Sequence, residues 1–200
     1  MLNIRKMKPE EVNAVAAFFS AGYYDDIFFK WVVPPDDRRL EIVTNYYKAY
    51  LNARGAYAYV AEENGIMVGA TVWLPHDCDA SLYDEIDAVT GEFAPNFRAV
   101  ADASHENEPK NTAFTQLVGF VVDKKHRGRG FGKALLNAHL SAMDAQGIPT
   151  YLEASTPFHG GGVYGKFGFK LYSDLMVFSD TAVLYPLWRD VALSENKFLI

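Results

Sequence analysis

Apolar and polar residues alternate from Leu2 to Arg5, the period of a short half-buried strand, and after Pro9 the spacing changes. Val12, Val15, Ala16 and Phe19 fall on one helical stripe, with Glu10 and Glu11 in the first turn, where the helix dipole favours acids. The run Tyr23 to Trp31 is dense in aromatics and is followed by Pro34-Pro35. Asp36 then stands where the cap of a second helix is expected, running toward Asn52 and stopped by Gly55. Ala56 to Glu62 and Ile66 to Leu74 are β-prone runs joined through Glu63-Asn64-Gly65, and Asn-Gly at such a junction predicts a hairpin. Asp77 to Asn111 is the least regular part: a helix is expected over Ser81 to Val89, a weaker one around Phe97, and Ser104 to Thr112 reads as an exposed loop. From Thr115 the order is simple. A strand runs through Val122, then come a glycine-rich turn, a helix to about Gln146, a strand from Thr150 to Ser155, a short helix near Tyr164 and closing strands. This is an α/β pattern with a parallel strand–helix–strand step.

Composition narrows the class. Two hundred residues, half of them hydrophobic, suffice for one substantial core and suggest a single domain over residues 1–200. A net charge of −6 supplies no basic patch for a phosphate backbone, so nucleic acid is not expected as a partner. The N-terminus lacks the apolar run of a signal peptide, and no segment reaches the roughly 18 apolar residues of a membrane span. The single cysteine, Cys78, allows no intrachain disulfide, and a cytoplasmic location is expected. His76-Asp77-Cys78-Asp79 has metal-ligand residue types without the paired spacing of a zinc site, so no metal is expected.

The chemistry-bearing feature is the turn His126-Arg127-Gly128-Arg129-Gly130-Phe131-Gly132-Lys133. It follows a strand and opens a helix whose apolar side carries Leu135, Leu136, Leu140 and Met143. At a helix start the backbone N–H groups lack internal partners and the dipole end is positive, so glycines there make a cradle for an anion. Spacing separates the known phosphate loops. A Walker A loop needs glycine where Arg127 stands and Ser or Thr where Ala134 stands; a dinucleotide fingerprint needs glycine at Lys133. Both fail.

What fits is R-x-x-G-x-G at Arg127, Gly130 and Gly132, which resembles the acyl-CoA pyrophosphate loop of the GNAT superfamily. Gly119 to Asp123 is similar to the family's preceding strand, Thr150 to Ser155 to its next strand, and Val163-Tyr164-Gly165-Lys166-Phe167-Gly168-Phe169 to its tyrosine-plus-GF signature. The Leu-Glu-Ala-Ser strand and the chain length resemble, loosely, the puromycin N-acetyltransferase branch. The resemblance implies a mixed, largely antiparallel sheet flanked by helices. It also implies acetyl-CoA as donor, coenzyme A as product and a small-molecule amine as acceptor, with a monomer and a homodimer both open. Carried over by position, Phe120, Val121, Val122, Arg127, Gly128, Arg129, Gly130, Phe131, Gly132 and Lys133 would bind the cofactor. The sequence departs from the pattern in one place: the asparagine that contacts pantetheine in many relatives is missing from Thr156 to Val163, leaving His159 or a backbone group to replace it.

Acyl transfer needs a deprotonated amine, a polarised carbonyl and a proton for the departing thiolate. The resemblance puts Tyr164 where a phenol protonates the sulfur; the alternative is a core tyrosine bonded to backbone. Glu153 shares a strand face with Tyr151 and Ser155 and is the leading general base, its alternative being a purely structural carboxylate; His126 and His159 are reserves. For the carbonyl, the resemblance implies that backbone N–H groups near Val122 suffice. A covalent route is disfavoured, since no G-x-S-x-G elbow occurs. Asp25, Asp26, Phe28 and Trp31 are expected at the acceptor site, although Phe28, Phe29 and Trp31 serve equally as a hydrophobic plug. A catalytically silent acyl-CoA sensor is the competing reading. Antibiotic, polyamine, amino acid and protein N-terminus all stay open as acceptors.

Overall fold

The computed structural model describes residues 2–78, 81–160 and 162–192. Among the described residues, eight strands form one sheet: β1 (Leu2–Lys6), β2 (Tyr57–Glu63), β3 (Ile66–Pro75), β4 (Thr115–Val122), β5 (Thr150–Ala154), β6 (Lys170–Leu171), β7 (Met176–Val177) and β8 (Val183–Arg189). Their order is β1-β2-β3-β4-β5-β8-β6, with β7 also on β8. Every pairing is antiparallel except β4 with β5, which is parallel, as the strand–helix–strand reading requires. The mixed, mostly antiparallel sheet flanked by helices is the expected fold.

Strand periodicity sorts the core into two layers. Ala70, Val72 and Leu74 of β3 and Val121 of β4 face one side, where they meet α1 (Val12–Tyr23), α2 (Ile27–Val32), α3 (Asp36–Asn52), α4 (Ser81–Thr90) and α5 (Ala94–Asn107). Trp73, Leu117 and Leu152 face the other, under Leu135, Leu136 and Leu140 of α6 (Phe131–Gln146). A short α7 (Gly162–Lys166) follows β5.

The hairpin turns at Asn64-Gly65, both with positive φ (52° and 78°), the geometry a two-residue turn between twisted strands requires. Three expectations need correction. Asp36 is the first residue of α3 rather than its cap, a place taken by Pro35, and its carboxylate accepts from Arg39 Nη1 at 2.6 Å. The aromatic run contains a helix of its own, α2, because Asp26 accepts from the N–H groups of Phe28 and Phe29 and so caps it. Ser104 lies on α5, not in a loop: that helix continues to Asn107 although Phe97 is its one buried residue, so its apolar stripe is too thin to be read from the sequence.

Candidate active site

The parallel pairing of β4 and β5 covers only Thr115 to Leu117 against Thr150 to Leu152. Beyond it the strands part, and the β4 edge from Val118 to Val122 has no strand partner on that side. Because an antiparallel ladder alternates, Val121 turns its N–H and C=O to β3, while Phe120 and Val122 turn theirs into the fork. Buried backbone groups need partners, and here side chains supply them. The Tyr23 hydroxyl accepts from Phe120 N–H at 2.8 Å and donates to Phe120 C=O at 3.0 Å. The Tyr47 hydroxyl donates to Val118 C=O at 3.4 Å, and Arg127 Nε donates to Val122 C=O at 3.1 Å. Burial pushes the Tyr23 phenol up to about 12, so it stays a neutral double partner of the strand.

A cavity of about 910 Å³ opens from the fork toward α6. Phe120, Val121, Val122, Arg127, Gly128, Gly130, Phe131, Gly132, Lys133, Glu153 and Tyr164 all line it, so the turn and the two proton-transfer candidates share one space. Gly130 caps α6 with φ of 89°, a left-handed conformation that places no side chain over the first-turn N–H groups. Gly132 is needed for closeness: a Cβ there would stand 2.9 Å from the Phe120 ring. Arg129 departs from the group. It pairs with Glu63 at the hairpin, lies over the Phe131 ring and does not line the cavity. His159 is exposed and also outside the wall, where Thr156 and Val163 stand instead.

Tyr164 packs edge-on to Phe120 and Phe169, and burial raises its phenol far above the ordinary range. It enters any reaction as a proton donor rather than as phenolate. Glu153 receives the Ser104 hydroxyl on Oε2 at 2.7 Å and the Tyr151 hydroxyl on Oε1 at 3.0 Å. Removal from water outweighs both bonds and pushes the carboxyl up to about 7, with a smaller push from Glu108. A carboxyl poised there exchanges protons at neutral pH.

On the other side of Tyr23, Glu153 and Ser155 lies a second cavity of about 130 Å³ between β4 and the helices α2 to α5. It is lined by aromatic rings, including Phe28, Tyr46, Tyr50 and Tyr83, with Asp87, Arg98, Ser104 and Glu108 among its polar residues. Phe28 therefore sits in its wall, whereas Trp31 packs against Phe28 and Phe178 and lines neither cavity. The two expected acceptor carboxylates line the larger cavity instead. Asp25 is exposed and pairs with Lys124 at 3.0 Å and Lys30 at 3.8 Å. Asp26 spends one oxygen on the α2 cap and the other on the Ser155 hydroxyl at 2.9 Å.

Sequence reasoning missed Tyr23 as partner of Phe120, Ser104 as partner of Glu153, and the Tyr46, Tyr47 and Tyr50 face of α3. The i, i+4 spacing of Tyr46 and Tyr50 was a readable signal for the last. No metal-holding group of three or more His, Cys, Asp or Glu occurs among the described residues, and no helix there is long and apolar enough to cross a membrane.

Comparison with known proteins agrees with this geometry. Residues 54–171, from the turn before β2 through β6, match the model of the acetyltransferase (GNAT) domain. The fold is similar to that of histone acetyltransferase HPA2 and related acetyltransferase from Corynebacterium glutamicum, at TM-score 0.68 and 18% identity, over 97% of this chain and 98% of that one. It is also similar to an agmatine N-acetyltransferase, at TM-score 0.58 and 15% identity over 94% and 98% of the two chains. A Drosophila melanogaster polyamine N-acetyltransferase gives TM-score 0.56 and 15% identity over 94% and 97%. The family match takes in the fork, the glycine turn and both proton-transfer candidates, and the chain belongs to the GNAT acetyltransferase family.

Proposed function

We propose that this chain transfers an acetyl group from acetyl-CoA to the primary amine of a small molecule, by direct attack with both substrates bound. The observation that carries the reading is the position of Glu153 in the walls of both cavities, with a carboxyl pushed up to about 7. A donor in the larger space and an amine in the smaller one meet beside it.

The residues present suit an acyl-CoA. A left-handed glycine at the start of a 16-residue helix leaves first-turn N–H groups for a pyrophosphate, and Arg127 and Lys133 line the same wall. The Val122 N–H, turned into the fork, is suited to hold a carbonyl oxygen. Bound acetyl-CoA supplies a thioester carbonyl as electrophile and a thiolate as leaving group. Glu153 takes a proton from the amine nitrogen, which matters because an alkylammonium of pKa near 10.4 is only about 0.04% neutral at pH 7. Ser104 and Tyr151 hold that carboxylate in place. Tyr164 gives its phenolic proton to the departing sulfur. Agmatine and polyamine transferases are among the similar folds, as is a histone acetyltransferase, so the choice of a small amine over a protein rests on the small second cavity.

Thiol release from acetyl-CoA across a panel of amines tests the reading, with Tyr164→Phe alongside. Amine-stimulated release is expected, and Tyr164→Phe should lower turnover more than it weakens acetyl-CoA binding. Donor binding without stimulated release by any amine would instead identify a sensor.

A further inference from the structure

We propose that the acceptor is a small primary arylalkylamine, about one ring in size, held in the aromatic cavity beside the fork. This rests on the transferase reading above and goes beyond it by naming the substrate class. Size, lining and charge each point the same way.

The smaller cavity measures about 130 Å³. An apolar protein cavity of roughly 150 Å³ accommodates a benzene ring, so this space is filled by a single ring, and the aminoalkyl arm must reach out of it past Glu153 toward the larger cavity. An aminoglycoside or a folded peptide is too large for it. Its lining includes eight aromatic side chains among the described residues, on α1, α2, α3, α4 and α5. Several already meet one another edge-on, as Tyr46 meets Tyr50 at 4.8 Å and Phe29 at 6.1 Å, which leaves ring faces and edges for a planar guest. Edge and face contacts of this kind are worth roughly two- to tenfold in affinity beyond apolar burial alone.

Charge then separates a monoamine from a diamine. Of the carboxylates in the wall, Asp87 is bonded to Arg98. Glu108 lies 3.0 Å from His105 Nδ1 and 3.7 Å from Lys110 Nζ. Glu153, whose partners are the neutral hydroxyls of Ser104 and Tyr151, is left to meet a cation, and it stands where the two cavities adjoin. One ammonium is thus served at the donor side, while the second cation of agmatine or spermidine would have ring faces alone to meet, since the other two carboxylates of the wall already have cationic neighbours.

The reaction balances without a further reactant. The amine nitrogen forms a bond to the acetyl carbon and the carbon–sulfur bond breaks. The bound ammonium first releases one proton through Glu153 to solvent; the free amine's second proton passes to Glu153 as the new bond forms, and Tyr164 protonates the thiolate. Return of the proton from Glu153 to Tyr164 through solvent leaves an N-acetyl arylalkylamine and free coenzyme A.

The experiment is a thiol-release assay at saturating acetyl-CoA, comparing 2-phenylethylamine and tyramine with agmatine, spermidine and an alanyl peptide. It is run on the wild type and on Ala101→Leu. Ala101 is half-buried on α5 in the cavity wall, outside the proton-transfer machinery, and leucine suits a helix while filling the space. The arylalkylamines should exceed agmatine and spermidine by at least tenfold in kcat/KM. Ala101→Leu should raise their KM at least tenfold and leave acetyl-CoA affinity within twofold. Preference for a polyamine or the peptide, or an Ala101→Leu enzyme with unchanged arylalkylamine KM, overturns the inference while the transferase reading survives. If no amine stimulates release although coenzyme A binds, the transferase reading itself fails. The wild-type panel decides substrate class even where the variant does not fold.

Discussion

Replacing Glu153 with Gln separates catalysis from stability at one atom pair. The side chain keeps its shape, and its amide still meets the Ser104 and Tyr151 hydroxyls, each of which both donates and accepts. With the wild-type carboxyl at about 7, roughly half is ionised at pH 7, a tenth at pH 6 and nine-tenths at pH 8. Measured as kcat with both substrates saturating, wild-type activity should therefore fall about tenfold for each unit of pH well below 7, while the Gln variant loses that acidic limb. General-base removal should also lower kcat by about 100-fold or more at pH 8.

Stability moves the other way. Relative to an ordinary carboxyl at 4.5, the raised value means the folded state binds more protons between pH 4.5 and 7, so wild-type stability falls as pH rises through that window. Above pH 7 the full cost, about 3 kcal/mol, is present, and Gln removes it. At pH 8 the variant should melt roughly 6–12 °C above the wild type, and near pH 4.5 the two should coincide. A Gln variant that keeps the acidic limb, or that gains nothing in melting temperature at pH 8, refutes the assignment of a perturbed and catalytic carboxyl.

Three further tests read other parts of the structure. His139 is fully buried, stacked on Trp73 at 4.1 Å, and burial lowers its imidazole to about 4; the unfolded chain then binds the extra proton between pH 6.5 and 4. Stability present above pH 6.5 should be lost by about 3 kcal/mol as pH falls through that range, a slope that His139→Gln should flatten in thermal melts. Tyr23→Phe leaves Phe120 N–H and C=O unpaired at the fork, for a loss of about 1–3 kcal/mol in denaturant unfolding; no loss would mean that water replaces the phenol. Gly130→Val forces a branched side chain to a φ of 89° at the helix start, and calorimetry should find coenzyme A affinity reduced at least tenfold; unchanged affinity would remove the turn from the donor site.

The readable parts of this protein are the local ones. Strand, glycine turn and helix from Thr115 to Gln146 are contiguous, so hydrophobic period and glycine spacing were enough to find them. Asn64-Gly65 announced its hairpin for the same reason. Helix α5 was only half legible, because a helix that buries little beyond Phe97 carries little apolar periodicity, and Ser104 was lost with it. The aromatic run at Tyr23 to Trp31 was visible as composition, but its division between a strand-binding phenol, a cavity wall at Phe28 and packing at Trp31 was not.

The sequence by itself determined the sheet's parallel step, the anion-suited turn and the identity of the two proton-transfer candidates. Only the tertiary structure decided what surrounds them. Ser104 reaches Glu153 across 49 positions, Tyr23 reaches Phe120 across 97 and Ser155 reaches Asp26 across 129. Such pairs depend on how helices pack over the parted edge of β4, where backbone groups without a strand partner must be satisfied by whichever hydroxyl the packing brings near. The raised carboxyl of Glu153 has the same origin, since it follows from exclusion of water by that packing and not from the residue or its neighbours along the chain.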